Sequence, residues 1–255
     1  VSLSGDPRVH RVVEHVALQT NYIRSCPRPG PGVCRRCYGA VNEGYSVCVR
    51  CYRIEKQAGN DVADLVVPIT YRVDSEGQHS RNLRIYKQTF GRVEGARKSL
   101  RALFQDFCLR HITCVKQEAG IDAFTHAAFV PSTRTPDREH PLQELLGPVV
   151  RRLDRIELNV NPEIPSGTRE FVHDWFSVAD GASPLEEKAV LLIDDTWVTG
   201  ARAQSAAHAL KRAGAGAVVT VVLARQLDSG FEPAAPIIDR ISAADYDPGH
   251  CPVHR

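Results

Sequence analysis

The sequence predicts an α/β protein, a parallel sheet flanked by helices, with a small cysteine module in front of it. Three observations predict this. AVLLI (189–193), ARAQSAAHALKRAG (201–214) and AVVTVVLAR (217–225) read as strand, helix and strand, and apolar strands joined through a helix run parallel in one sheet. VEGARKSLRALFQDFCLRHI repeats apolar side chains at Val93, Ala96, Leu100, Leu103, Phe104 and Phe107, the three-four spacing of a buried helix face. CRRC and CVRC lie ten residues apart near the N-terminus, two short CxxC knuckles that mark a small module of their own.

In chain order, Val9 to Ile23 is read as a short amphipathic helix leading into the cysteine module, 22–56. The α/β domain spans 60–230. It opens with the strand LVVPITYRV (65–73), a polar linker DSEGQHSRN (74–82) and the long helix beginning at Val93. The strand AAFV (127–130) runs into PSTRTPDREHP, a loop full of breakers. HPLQELLGPVVRRL reads as a helix that Gly147 and Pro148 bend or end early, and REFVHDWFSV as a strand. Residues 231–255 are read as a C-terminal tail, frayed at HCPVHR, where His250, Cys251 and His254 have metal-ligand chemistry but no evident fourth partner.

The 255 residues bury a core without disulfide staples. No apolar run approaches the ~20 residues of a membrane span, and VSLSGDPRVH has no apolar signal core. The expectation is a cytoplasmic chain with no membrane partner. Net charge is +2, which favours no partner class, but its distribution is uneven. From Tyr22 to Arg53 six arginines face Glu43 alone, and from Arg81 to Lys116 nine basic residues face two acidic ones. Either segment suits a solvated face or an anion or nucleic-acid surface.

Cys34, Cys37, Cys48 and Cys51 offer four thiolates from two knuckles, the donor set of a structural Zn²⁺. The turn-rich YGAVNEGYSV between them suits a small zinc ribbon. Disulfides are the alternative in an oxidising compartment. Cys26 is a second-choice ligand, eight residues before Cys34, and Cys108 and Cys114 fall in the helical pattern as core residues.

VLLIDDTWVTGAR (190–202) puts Asp194 and Asp195 side by side at the end of a buried strand. Two carboxylates that close repel unless a cation or hydroxyl-rich ligand lies against them. The turn that follows aims backbone N–H groups at one point, a ready phosphate cradle. A ligand with a phosphate at one end and vicinal hydroxyls at the other satisfies both, and a ribose 5-phosphate has that shape. LLIDD also matches a Walker B strand, which requires GxxxxGK[ST], and no Gly-Lys pair occurs in the chain. As a mere helix cap, one aspartate would suffice.

VLLIDDTWVTGAR resembles the PRPP-binding motif of type I phosphoribosyltransferases, and AFVPSTR resembles the pyrophosphate loop of that family. A four-cysteine module ahead of such a domain resembles the ComF-like branch, and the likeness covers about residues 30–226. It implies a type I phosphoribosyltransferase-like sheet. It also implies PRPP contacts from Ser132, Thr133, Arg134, Asp194, Asp195, Thr196, Trp197, Val198, Thr199, Gly200 and Ala201, with Asp194, Asp195 and Arg134 catalytic and Mg²⁺ accompanying the diphosphate. The implied activity is transfer of ribose 5-phosphate to a small-molecule, nitrogen acceptor with loss of pyrophosphate. Val198 stands where the family has a first loop threonine, and Arg202 where it has a hydroxyl after the glycine. The alternative the resemblance allows is a single-stranded DNA-binding protein of DNA uptake or processing with a vestigial or regulatory PRPP site. Tyr22, Tyr38, Tyr45, Tyr52, Tyr71 and Tyr86 among the arginines suit base stacking or a packed core.

Overall fold

The computed structural model describes residues 6–74, 77–91, 93–135, 139–181 and 184–253. The N-terminal part holds α1 (Pro7–Ala17), β1 (Arg24–Ser25) and α2 (Val49–Ala58). Next come β2 (Leu65–Val73), α3 (Gly77–Ile85), α4 (Val93–Glu118), β3 (His126–Phe129), α5 (Pro141–Leu146), β4 (Asp154–Ile156), β5 (Leu158–Val160) and β6 (Phe176–Val178). The chain closes with β7 (Ala189–Trp197), α6 (Ala201–Arg212), β8 (Ala217–Leu227) and α7 (Ala235–Ser242).

Six strands form one sheet in the order β1-β2-β8-β7-β3-β4, parallel throughout except for the two-residue β1. β5 and β6 pair antiparallel in a sheet of their own. Helices cover both faces. Leu191 and Ile193 of β7 join α3, α4 and α5 on one face, and Val190 and Leu192 join α6 and the cysteine module on the other. All four are buried, each contributing about 1.5–3 kcal/mol, so β7 is a rigid base for whatever follows it.

Several elements differ from the sequence reading. The polar linker after β2 is helical from Gly77, because His79, Asn82 and Leu83 turn inward. Thr70 Oγ1, bonded to the Leu223 carbonyl at 2.6 Å, also meets the His79 ring at 2.8 Å. Only Phe176–Val178 of REFVHDWFSV is strand, since its partner β5 is three residues long. β7 does not stop at Ile193. It continues through both aspartates, pairing Asp194 with Val222, Thr196 with Ala224 and Trp197 with Arg225, and Thr and Trp are residues that strands favour. The C-terminal segment is packed rather than frayed, with Ile237, Ile241, Tyr246, Cys251 and Val253 buried. His254 lies outside the described residues. Among the described residues, no helix is long and apolar enough to cross a membrane.

Candidate functional site

β3 and β7 are adjacent and parallel, Phe129 opposite Ile193, but their connections diverge. The chain leaves β3 through α5 towards β4, and leaves β7 through α6 towards β8 on the other side. α5 packs on one face and α6 on the other. The carboxyl ends of β3 and β7 therefore flank a topological switch point, where open α/β sheets leave a ligand crevice. Both quoted sequence motifs, PSTR (131–134) and DDTWVTG (194–200), emerge at this edge, and Val130 N donates to the Ile193 carbonyl at 3.0 Å.

Strand alternation sends the two aspartates to different faces. Asp195 points towards α3, 6% exposed. It accepts from the Tyr86 hydroxyl at 2.6 Å and pairs with Lys87. Burial pushes its carboxyl up, but Lys87 and Tyr86 outweigh burial and hold it below the ordinary value. His140, the N-cap of α5, lies close enough to contribute, and burial lowers its own pKa to about 4. Asp194 points towards α6. Burial first, and Asp195 second, raise its pKa to about 7, although it accepts from Asp195 N at 2.8 Å. Of the pair, Asp194 carries the unmet demand for a partner.

That demand faces arginines. Arg202, in the first turn of α6, stacks over Trp175 and donates from Nη2 to the Ser166 carbonyl at 2.6 Å. Burial lowers its pKa, with Arg134 and Arg169 adding repulsion and Asp194 opposing. Arg202 thus stands between the Asp194 carboxylate and the positive charge of Arg134 and Arg169. Thr133 Oγ1 donates to the same Ser166 carbonyl at 3.4 Å, while Ser132 Oγ accepts from Thr135 N at 3.3 Å. The exposed Arg134 and the half-buried Ser132 line the loop mouth.

Between β7 and α6 the turn is only Val198, Thr199 and Gly200. Among the described residues, the amides of Thr199 and Gly200 donate no hydrogen bond, and they open the 12-residue α6, whose positive dipole end favours an anion. Thr199 Oγ1 accepts from Ala201 N at 3.2 Å. Gly200 has φ +82°, and a Cβ there would collide with the indole of Trp197. The glycine is thus required by its own backbone and by Trp197 beneath it. Trp197 is a buried floor residue, Ala201 is buried, Thr196 is half-buried and Val198 faces solvent.

The sulfur atoms of Cys34, Cys37, Cys48 and Cys51 all lie within 4.8 Å of one another. The two knuckles are locked by Cys34 N to the Gly39 carbonyl at 2.7 Å and Cys48 N to Cys34 Sγ at 3.3 Å, and Cys48 caps α2. Hydrogen bonds from Cys37, Cys48 and Cys51 hold Cys34 far below the ordinary thiol value, favouring a thiolate. Four convergent thiol groups with amide support have the chemistry of a structural zinc site. Cys26 is buried apart from them, against Tyr71 and Ile237.

Arg225, at the end of β8 and 9% exposed, was not singled out by the sequence. Its guanidinium donates to the carbonyls of Cys37 at 3.0 Å, Trp197 at 3.1 Å, Val198 at 3.2 Å and, closer still, Gln226. One side chain thus ties the first cysteine knuckle to the turn after β7. Gly39 makes room for it, since a Cβ there would collide with the guanidinium. Between module and turn runs a cleft of about 940 Å³, lined by Tyr45, Tyr52, Arg53, Arg169, Val198 and Thr199 among others.

The tyrosines divide. Tyr38, Tyr71 and Tyr86 are buried and Tyr22 is half-buried, whereas Tyr45 and Tyr52 are 69% and 56% exposed. The basic stretch from Arg81 is not a uniform patch, because Lys87 pairs with Asp195, Arg97 with Glu144 and Arg110 with Asp106. Comparison with family models, curated proteins and solved structures gives no significant match to the chain.

Proposed function

We propose that the crevice at the ends of β3 and β7 binds PRPP and that the protein is a phosphoribosyltransferase-like enzyme of the ComF-like type. The single observation that carries the reading is the meeting of the PSTR loop and Arg202 on one carbonyl, that of Ser166, at the edge where β7 leads from Asp194 into α6. The unpaired Thr199 and Gly200 amides would hold the 5-phosphate, with Asp194 accepting from ribose hydroxyls. Ser132, Thr133 and Arg134 would hold the diphosphate, whose Mg²⁺ would supply further positive charge to the leaving group. As the bond from C1 to the diphosphate oxygen breaks, charge becomes positive at C1 and more negative on the diphosphate. The Asp194 carboxylate beside the sugar and Arg134 beside the diphosphate match that separation. The acceptor, a small nitrogen nucleophile, would approach C1. Four cysteines would hold a structural Zn²⁺ that keeps the module folded.

A second reading, single-stranded DNA binding, is favoured by exposed Tyr45 and Tyr52 beside Arg50 and Arg53 along the cleft, a stacking platform next to positive charge. The test that separates the two is pyrophosphate release from PRPP across purine, pyrimidine and amine acceptors. The enzyme reading expects at least one acceptor to raise release, and Arg134→Ala to lower release more than it weakens ribose 5-phosphate binding. Release at the solution background with every acceptor, together with single-stranded DNA affinity that falls steeply with salt, would replace it with the second reading.

A further inference from the structure

The geometry points to a second metal site, distinct from the four-cysteine cluster and from the crevice, formed by His111, Cys114 and Cys251. One ring nitrogen of His111 and the two sulfur atoms lie within 4.8 Å of one another. His111 and Cys114 are three residues apart on α4, hence on one face of the helix. Cys251 arrives from the C-terminal segment. His111 and Cys251 are 5% exposed, and Cys114 is half-buried.

Two features prepare this trio for a cation. His111 Nε2 lies 2.8 Å from the Pro248 carbonyl; a carbonyl only accepts, so Nε2 carries the proton and the lone pair of the neutral ring sits on Nδ1. Metal-ligating histidines are oriented in this way, by a carbonyl on the other nitrogen. The segment that delivers Cys251 is also held firmly in place. Tyr246 N donates to the Thr20 carbonyl at 2.9 Å and Asp247 N to Ser25 Oγ at 3.0 Å. The His250 ring meets the Cys26 carbonyl at 2.9 Å, and Arg28 donates to the Cys251 carbonyl at 3.3 Å.

The donor set selects the ion. Two thiolates and an imidazole suit a borderline-soft d¹⁰ cation, Zn²⁺, in a Cys₂His arrangement with water as fourth ligand on the side of the half-buried Cys114. Loading releases the two thiol protons, and two thiolates cancel the ion's charge, so the buried site ends neutral.

The experiment loads the reduced full chain with Zn²⁺. Zinc content is measured, along with iodoacetamide labelling of each cysteine by peptide mapping, with and without a chelator. The site predicts that Zn²⁺ slows labelling of Cys114 in the wild type. It also predicts that His111→Gln holds one zinc fewer, its affinity at this site weakened at least about tenfold, with labelling of Cys34, Cys37, Cys48 and Cys51 unchanged. Zn²⁺-independent labelling of Cys114, or recovery of a Cys114–Cys251 disulfide from the zinc-loaded chain, would overturn it. The wild-type labelling decides the matter even if the variant does not fold.

Discussion

Replacing Arg225 with alanine should uncouple the cysteine module from the turn after β7. In the native protein its guanidinium serves carbonyls on both sides of that junction: Cys37 in the module, and Trp197 and Val198 in the turn. Truncation leaves these acceptors without their charged donor in a region 9% exposed at Arg225 itself. A hydrogen bond to a charged group contributes about 1.5–3 kcal/mol. Water entering the vacated space restores part of that, and the native fold also bears the desolvation of a buried cation. The net loss should be about 2–4 kcal/mol, less than three such bonds in sum. Arg225→Lys should recover only part of it, because an ammonium lacks the planar fork that spans several carbonyls. Urea unfolding followed by tryptophan fluorescence is the assay, with Trp197 itself reporting on the turn. An Arg225→Ala protein within about 0.5 kcal/mol of wild type, the range of ordinary surface substitutions, would refute the reasoning.

Three other expectations follow from the site. Asp194 has its pKa raised to about 7 against 3.8 for the free side chain, so the folded protein keeps a proton that the unfolded chain loses. Its contribution to stability is therefore full below about pH 4 and fades as pH rises through about 7; urea midpoints across that range should fall in wild type and flatten in Asp194→Asn. Gly200→Ala forces φ +82° on a residue with a Cβ and drives that carbon into Trp197. The expected cost is about 2 kcal/mol or more, read from the same urea curves, and an unchanged midpoint would contradict it. Cys48→Ser should lower zinc content by one ion per chain and loosen the module while most of the sheet signal in circular dichroism persists; full zinc retention would contradict the assigned ligand set.

The parts of this molecule written locally in the sequence were readable there. β7, α6 and β8 are long and strongly patterned, and the four cysteines sit within 18 residues. What escaped depends on contacts distant in sequence. The strand's continuation through Asp195 to Trp197 comes from pairing with β8, which overrides a composition that suggests a turn. The same continuation separates the two aspartates onto opposite faces, so only Asp194 is left seeking a partner. α3 carries few apolar residues and buries His79 and Asn82 instead, leaving no hydrophobic periodicity to find. Tyr86 and Lys87 follow it, and their role at Asp195 bridges over a hundred positions. Arg225 left one trace, an arginine ending an otherwise apolar strand. His111 and Cys251 lie far apart in the sequence, and only the packing of the C-terminal segment against α4 joins them.

A PRPP site at the switch point between β3 and β7 is tested most directly by calorimetric titration of PRPP with Mg²⁺. Wild type is compared with Asp194→Asn. One PRPP per wild-type chain is expected, with an affinity lower by several-fold to about a hundredfold in the variant, or about 1–3 kcal/mol for the weakened charge-assisted hydrogen bonds from the ribose hydroxyls to Asp194. No heat of binding in the folded wild-type protein would contradict it, as would equal affinity in the two proteins.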